Sequence, residues 1–355
     1  MVVGEFAGWK GAVVVLPADG HVHSEWSWDA PNGSMERTCA RAVDLGLPAV
    51  AFTEHADFTT WIVLASDLDE HRHLKAFATP DGLLAPPKLD LDAYLECVQR
   101  CRDKFPDLRI VTGVELGEPH WHGSVAARLL DAGQFDRVLG SLHCLPIGQR
   151  FSEMPNLYRQ RPAAEVVREY LTEIGLLISG WDAFAVLAHI DYAVRYWPAE
   201  AGPFDPYAFE DEFRHALRTL ADSDRGLEIN TRGSPGSLSH YGQIVGWWRE
   251  EGGTVVTFGS DAHDPTAIAW GFAEAVAMVE AHGFRPGRHP YDFGPVRADP
   301  DGRSDQGRQN AAITSRPGSQ PSPVSTSSVG ASTWMASNVR AAEMCSVSAW
   351  AARVA

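Results

Sequence analysis

The chain has 355 residues, of which 45% are hydrophobic and 21% are charged, a composition typical of a globular protein with one or two domains. No apolar run approaches the roughly 20 residues that cross a bilayer, so we expect no membrane association. The formal net charge of −16 would repel phosphate backbones, which argues against sequence-independent binding to nucleic acid.

The cysteines and the first residues bear on the cellular compartment. Five cysteines are scattered without the close spacing of a zinc ribbon, which favours a reducing environment over a disulfide framework. The stretch MVVGEFAGWKGAVVVLP contains one lysine and lacks the pattern of a signal peptide. We therefore expect a cytoplasmic protein.

Seven short apolar runs, rich in β-branched residues, alternate with amphipathic stretches of helical length. In chain order the runs are AVVVLPADGHVH, PAVAFTEH, RIVTGVE, DRVLGSLH, FAVLAHID, GLEIN and GTVVTFGSDAH. The helix candidates are 34–45, 90–105, 161–175, 205–221, 239–251 and 265–282. The first candidate begins at the capping residue Ser34 and ends before Gly46. Such alternation predicts parallel strands with helices outside them.

Each run carries a histidine, aspartate or glutamate at or near its end. Ligands of parallel α/β folds gather at the carboxyl ends of the strands, and these ends share one mouth in a closed barrel. The pattern therefore favours a single α/β barrel domain over residues 1–295. Residues 56–89 form a long interruption after the second run, which predicts a substrate loop or lid. Residues 296–355 are rich in Ser, Gly, Pro and Arg, which predicts a disordered tail.

The first run ends in His21 and His23, and Asp29 follows them. Residues two apart on a strand point to the same face, so both imidazoles can reach one metal ion. A single motif of this kind more often marks a polar turn or buried, hydrogen-bonded histidines. The other strand ends favour the metal interpretation because they supply six further candidate ligands: His55, Glu115, His143, His189, Asp261 and His263.

These nine residues offer imidazole nitrogens and carboxylate oxygens without a thiolate, a set that suits zinc, iron(II) or manganese. Nine ligands exceed the four of one tetrahedral ion, so two or three divalent ions are expected. Glu115 is the natural bridge, because a carboxylate can give one oxygen to each of two ions.

Other residues near the strand ends are candidates for substrate binding and catalysis. Arg195 follows the fifth run, and its planar guanidinium suits a phosphate group, although an exposed arginine paired to a surface acid is the alternative. Arg232 is a second candidate for phosphate binding, and Asp19 is a candidate general acid. Glu228 and Asn230 are expected to orient the metal ligands.

Two further pairs of histidines have the same spacing as the first motif. His71 and His73 lie in the long segment 56–89, where we expect them to be solvated. His120 and His122 follow Glu115 closely enough to be candidates for substrate contact at the mouth of the barrel.

The ordered motifs DGHVH, TEH, GVE, SLH, AHID and GSDAH resemble those of the polymerase-and-histidinol-phosphatase (PHP) family of metal hydrolases, from about Leu16 to about Gly271. The resemblance implies a distorted (β/α)7 barrel, similar to a TIM barrel, with a trinuclear metal site at the carboxyl ends of the strands. It implies a first ion bound by His21, His23, Glu115 and Asp261, a second bound by Glu115, His143 and His189, and a third bound by Asp29, His55 and His263. Asp29 is a carboxylate where some members have a histidine.

The stretches EHADF and HIDYAVRY, together with the long segment 56–89, look most like the histidinol-phosphatase branch of this family. That branch implies hydrolysis of a small phosphorylated substrate, L-histidinol phosphate, by a metal-bridging hydroxide in histidine biosynthesis. The alternatives are a nucleotide phosphatase, a phosphodiesterase or nuclease with the same site, and a non-catalytic barrel within a larger complex. An amidohydrolase is a further alternative, but it usually needs a bridging lysine where this chain has Glu115.

Overall fold

Strands and helices alternate along the part of the chain that the computed structural model describes, residues 16–233, 238–287 and 293–295. The strands are β1 (Asp19–Val22), β2 (Ala49–Asp57), β3 (Trp61–Ile62), β4 (Leu83–Leu84), β5 (Arg109–Gly117), β6 (Arg137–Ser141), β7 (Cys144–Ile147), β8 (Arg150–Glu153), β9 (Val186–Leu187), β10 (Gly226–Asn230), β11 (Val256–Gly259), β12 (Phe284–Pro286) and β13 (Phe293–Pro295). The helices are α1 (Met35–Leu45), α2 (Ala65–Glu70), α3 (Leu91–Lys104), α4 (Gly123–Gly133), α5 (Met154–Tyr158), α6 (Ala163–Gly180), α7 (Tyr192–Arg195), α8 (Glu210–Asp222), α9 (Tyr241–Glu250) and α10 (Phe272–Ala281). Short 3-10 helices span Arg72–Phe77, Ala199–Ala201, Pro206–Phe209 and Pro265–Ala267.

Seven strands lie side by side and parallel, in the order β1, β2, β5, β6, β9, β10 and β11. Just past the end of β11 the chain pairs with β1. The Asp261 amide donates to the His21 carbonyl at 2.8 Å, and the His23 amide donates to the Ala262 carbonyl at 2.9 Å. These bonds close the sheet, so the predicted distorted (β/α)7 barrel is confirmed. The antiparallel strands β13 and β12 extend the sheet beyond β11 and distort the barrel there.

The six predicted helices correspond to α1, α3, α6, α8, α9 and α10. Helix α1 begins and ends as predicted, because the Ser34 hydroxyl accepts the Arg37 amide and Gly46 takes a φ of 69°. Helices α8 and α10 begin later than predicted, because 3-10 helices occupy residues in front of them. Helix α4 was not predicted, since its sequence GSVAARLLDAG has no side-chain cap at its first turn.

The helices pack against the barrel through one large apolar cluster. Trp247 and Trp248 of α9 are both buried in it. Cys39, Cys97 and Cys101 are free, buried members of the same cluster. They therefore act as small hydrophobic side chains.

A second sheet of four strands, in the order β4, β3, β8 and β7, follows the carboxyl ends of β2 and β6. Strands β3 and β4 come from the segment 56–89, which also contains α2 and a 3-10 helix. Strands β7 and β8 form an antiparallel hairpin directly after β6. Ile62 of β3 pairs in parallel with Ser152 of β8. The long segment and the hairpin are therefore joined into one layer beside the barrel mouth.

The predicted tail, residues 296–355, lies outside the described residues. The last described element is β13, and the domain boundary at residue 295 stays a prediction. Among the helices of the described ranges, none combines the length and the apolar character that a bilayer-spanning segment requires.

The Tyr94 hydroxyl joins α3 to two neighbouring barrel strands, and this bond generates a stability prediction. The buried hydroxyl lies 2.8 Å from the Phe52 carbonyl and accepts the Gly113 amide at 2.8 Å. We expect Tyr94→Phe to lower the free energy of unfolding by about 1–3 kcal/mol, because the buried Gly113 amide loses its acceptor. Urea denaturation would measure the change.

Tyr207→Phe is the matched control, since the Tyr207 side chain is 62% exposed. Its free energy of unfolding should change by less than about 0.5 kcal/mol. Equal losses in the two variants would contradict the role given to the Tyr94 hydroxyl.

Candidate metal centre

The structure brings the nine candidate ligands together at the mouth of the barrel. All nine lie near or beyond the carboxyl end of a barrel strand: His21 and His23 at β1, Asp29 after β1, His55 on β2, Glu115 on β5, His143 after β6, His189 after β9, and Asp261 and His263 after β11. Asp29, His55, Glu115, His143, His189 and Asp261 line the same cavity, which has a volume of about 330 Å³.

Glu115 lies at the centre of this cluster. Its Oε2 is 3.1 Å from His21 Nε2 and 3.3 Å from His55 Nδ1. Its Oε1 is 3.2 Å from His143 Nε2 and 2.8 Å from His189 Nε2. The two oxygens of one carboxylate thus face two different sets of imidazoles, which is the arrangement that a bridging ligand requires.

Four groups of potential ligands have all their ligating atoms within 4.8 Å of one another: His21, His23 and Asp261; Glu115, His143 and His189; His23, His55 and His263; and His55, Asp57 and His143. Asp29 adjoins the third group, because its Oδ2 is 2.8 Å from His263 Nε2 and 3.4 Å from His55 Nε2. The first three groups parallel the three ligand sets that the sequence resemblance implied. The assignment of each residue to one ion stays a prediction.

Outer hydrogen bonds orient the first two histidines of the cluster. His21 Nδ1 is 2.8 Å from Glu228 Oε1, and His23 Nδ1 is 2.9 Å from the Ser27 hydroxyl. The two Nε2 atoms consequently face each other at 3.0 Å. With Nδ1 engaged in this way, each ring can turn an Nε2 lone pair toward an ion.

The chemistry of the donor set fits divalent metal ions. Asp29 Oδ1 is buried and has no hydrogen-bond partner among the described residues. A buried carboxylate oxygen without a donor is costly, and a cation would satisfy it. Imidazole nitrogens and carboxylate oxygens are the ligands of such ions in proteins, so this cluster is suited to bind them.

The charges of the cluster compensate one another. Burial by itself would lower the pKa of His21, but the carboxylates of Glu228, Glu115 and Asp261 outweigh it and hold that pKa well above its usual value. Burial likewise opposes ionisation of Glu115, but the surrounding histidines hold its pKa well below the usual range. The cluster therefore favours ionised carboxylates, which attract cations.

Asp57 belongs to the cluster, although it was not among the candidates from the sequence. Its Oδ1 is 3.3 Å from His143 Nδ1, and its Oδ2 accepts the Trp28 indole N–H at 2.9 Å. The sequence does contain a signal for its position, because Asp57 follows His55 by two residues on the same strand and both side chains therefore point to the same face. Glycine at position 117 on the neighbouring strand leaves room for this carboxylate, since a Cβ there would lie 2.2 Å from Asp57 Oδ1 and displace it.

Two arginines face the cluster from the same cavity. Arg195 donates to Asp261 Oδ2 at 3.1 Å and to Asn230 Oδ1 at 3.0 Å. Arg232 donates to Asp261 Oδ1 at 2.9 Å. Both guanidinium groups line the cavity beside the candidate ligands, which is where a bound phosphate would need them.

Asp19 joins two parts of the chain beside the metal centre. Its oxygens accept the backbone amides of Ser260 and Ala269, each at 2.9 Å. The carboxyl is fully buried outside the cavity lining, and burial raises its pKa to about 6. Asp19 therefore fastens the loop after β11 to β1, and its role as a general acid stays a prediction.

His120 and His122 bond to protein groups outside the cavity lining. His120 Nε2 is 2.8 Å from Glu173 of α6, and His122 Nε2 is 2.9 Å from the Thr59 hydroxyl. Neither histidine is among the residues that line the cavity. Substrate contact through these two residues stays a prediction.

His71 and His73, expected to be solvated, line the outer part of the cavity instead. His71 is exposed and His73 is half-buried, so the expectation holds only for the first. Trp28 also lines the cavity, and its ring centroid is 5.7 Å from that of Trp61. The segment 56–89 thus supplies much of one cavity wall.

The model of the PHP domain family matches residues 19–232, more than half of the chain. The chain belongs to the PHP domain family. Among its relatives is the histidinol-phosphatase of Lactococcus lactis subsp. lactis, 26% identical over 270 residues, which cover 75% of this chain and 91% of the relative. The probable histidinol-phosphatase of Thermotoga maritima is 27% identical over 272 residues, which cover 75% and 92%.

Two solved structures show the same fold as this PHP domain. The histidinol phosphate phosphatase of Lactococcus lactis subsp. lactis, solved with zinc, L-histidinol and phosphate, superposes with a TM-score of 0.64 at 24% identity and covers 76% of this chain and 94% of that one. The putative histidinol phosphatase of Listeria monocytogenes has a TM-score of 0.57 at 19% identity and covers 72% and 99%.

Glu228 of this PHP domain generates a prediction about metal binding. Its carboxylate holds His21 Nδ1 at 2.8 Å and accepts the His189 amide at 2.9 Å. We expect Glu228→Gln to weaken metal binding about 10- to 100-fold, because the neutral amide has only one acceptor oxygen for the His21 ring and the His189 amide and holds the His21 ring less firmly. Competition with a chromophoric chelator would measure the affinity.

Glu173→Gln is the matched control, since Glu173 also pairs with a histidine but stands outside the cluster. Its metal affinity should equal that of the unmodified protein. An unchanged affinity in Glu228→Gln would refute the orienting role.

Proposed function

We propose that this PHP domain hydrolyses L-histidinol phosphate to L-histidinol and phosphate with the help of divalent metal ions. The observation that carries the proposal is the cluster of nine candidate ligands, six of which line one cavity together with two arginines. Several relatives that align over most of their length are histidinol-phosphatases, or probable ones, which supports this choice of phosphate ester. Histidine biosynthesis is the pathway in which the reaction would serve, and the cytoplasm is its compartment.

The proposal assigns three ions, drawn from zinc, iron and manganese. His21, His23, Glu115 and Asp261 would hold the first, Glu115, His143 and His189 the second, and Asp29, His55 and His263 the third. When bound, such ions supply Lewis-acid activation of water and neutralise the charge of a phosphate group. Imidazole ligands with carboxylates suit all three metals.

Arg195 and Arg232 are proposed to bind the phosphate oxygens. Arg195 Nε is buried without a hydrogen-bond partner in the described part of the chain, so its N–H can donate to a ligand. Asn230 and Asp261 hold its other nitrogens, which fixes the plane of the group. A planar guanidinium fixed in this way can present a pair of N–H groups to a phosphate.

The segment 56–89 and the β7–β8 hairpin are proposed to cover the bound substrate. Trp61, Leu74 and Leu84 come from this segment and line the cavity, so they would keep water from the reacting group. The proposal treats residues 1–295 as the catalytic domain. The proposed substrate is a small molecule rather than a nucleic acid, because a chain with a net charge of −16 repels a phosphate backbone.

A substrate panel tests the proposed reaction. We expect metal-loaded protein to release phosphate from L-histidinol phosphate at least about tenfold faster, in kcat/KM, than from nucleotides and sugar phosphates. Chelation should abolish the activity, and adding back zinc, iron(II) or manganese singly should identify the ion that restores it. His23→Ala and Glu115→Ala should lose both activity and bound metal.

If the protein preferred a nucleotide or a sugar phosphate, the proposed metal centre would stand and the proposed substrate would be wrong. Full activity after complete chelation would exclude metal-dependent hydrolysis.

Arg195 gives a separate prediction about phosphate binding. We expect Arg195→Ala to lower kcat/KM about 10- to 100-fold, and to weaken inhibition by inorganic phosphate, because charge-assisted hydrogen bonds to phosphate are lost. The control is Arg218→Ala, which removes an exposed arginine paired with Glu251 on the outer face. If inhibition by phosphate were the same in both variants, Arg195 would not be the phosphate ligand.

A further inference from the structure

The lining of the cavity combines groups of different character. Six candidate metal ligands line it together with Arg195 and Arg232, which suit an anion. The end of β8 and the segment 56–89 contribute Glu153, Trp61 and Leu84 to the same lining. Besides Arg195 and Arg232, the described lining has no arginine or lysine except Arg159, which pairs with Asp67.

Glu153 differs from the other carboxylates that line the cavity. Each of the others has a protein partner or is solvated: Asp29 pairs with His263, Asp57 with Trp28 and His143, Asp67 with Arg159, Glu115 with the histidines, Asp261 with both arginines, and Glu70 is exposed. Glu153 is half-buried, and within the described ranges its carboxylate accepts no hydrogen bond and forms no ion pair.

The hairpin holds Glu153 next to the metal centre. Its backbone pairs directly with Cys144, the residue after His143. Cys144 packs with Trp61 and Leu84, both of which line the cavity. The neighbouring residue Ser152 pairs with Ile62 of β3, so strands on both sides fix the position of Glu153.

This environment disfavours an unpaired negative charge. Burial raises the pKa of the Glu153 carboxyl to about 7; His143 opposes this rise, and the nearby carboxylates of Asp57 and Asp29 add to it. A half-buried carboxylate without a donor loses solvation that no protein group replaces. A cation brought by a ligand would supply the missing partner, and the aromatic faces of Trp28 and Trp61 would tolerate it.

We propose that Glu153 binds the ammonium group of the substrate, and that this contact makes the centre selective for phosphate monoesters of amino alcohols. The inference rests on the proposed phosphatase function and names the substrate class within it. In L-histidinol phosphate the ammonium is carried by the carbon next to the ester carbon. A phosphate held by Arg195 and Arg232 therefore keeps the ammonium within the cavity that Glu153 also lines.

Paired substrates with and without the amino group test this contact. The first pair is L-histidinol phosphate and its deaminated analogue, 3-(imidazol-4-yl)propyl phosphate. The second pair is 2-aminoethyl phosphate and ethyl phosphate. We expect metal-loaded wild-type protein to prefer the aminated member of a pair by about 10- to 100-fold in kcat/KM, since a charged hydrogen-bonded pair forms only with it.

Glu153→Gln should abolish that preference by raising KM for the aminated esters and leaving KM for the deaminated esters unchanged. Glu70→Gln is the matched control, because it removes the same charge from an exposed residue of the cavity rim. It should keep the preference of the wild-type protein. Circular dichroism and metal analysis would establish that both variants are folded and loaded.

Two results would overturn the inference. An equal fall in kcat/KM for both members of a pair would place Glu153 in the chemical step or in the fold. An unchanged preference would show that Glu153 does not contact the ammonium. If Glu153→Gln failed to fold, Glu153→Asp would have to show the selective rise in KM, because its shorter side chain withdraws the carboxylate from the ligand.

The two proposals can fail separately. Should wild-type protein reject L-histidinol phosphate but prefer 2-aminoethyl phosphate to ethyl phosphate, the proposed substrate would be wrong and the ammonium contact would stand. A wild-type protein that prefers neither aminated ester would refute the contact, whatever phosphate ester it hydrolyses.

Discussion

The buried carboxylate of Glu115 is the constraint around which the rest of the site is arranged. Five imidazoles lie within 3.4 Å of its oxygens, those of His21, His23, His55, His143 and His189. A charge this deep in the barrel is tolerated only with such partners, so each neighbouring strand must end with its histidine at the same level. The packing extends to the backbone: a Cβ at position 259 would lie 2.1 Å from Glu228 Oε1, which leaves room for glycine alone.

The barrel and the members of the cluster could be predicted because they depend on rules that act over a few residues. Two histidines on one strand face share a direction, and parallel strands bring their carboxyl ends together. Asp57 lies two residues after His55 on the same strand, so its place in the cluster could have been predicted from the same spacing. The paired register of His55 with Glu115 shows how directly the strand pattern sets the centre.

The remaining assignments depended on contacts between distant parts of the chain. Asp19 stands beside the first histidine motif, yet its carboxylate accepts amides 241 and 250 residues away. His120 meets Glu173, 53 residues further along, on a helix that sequence spacing cannot orient. The position of Glu153 follows from a hairpin that pairs with the long segment, and that pairing has no short-range signal.

The closure of the barrel coincides with the candidate metal centre. Two backbone hydrogen bonds join the first strand to the chain after the seventh, and their residues include or adjoin His21, His23 and Asp261. An ion shared by these three side chains would act as a cross-link across the seam, in addition to any part in catalysis. Cohesion of the barrel and occupancy of the centre are then linked, so the first and seventh strands would separate more readily in protein stripped of its metal.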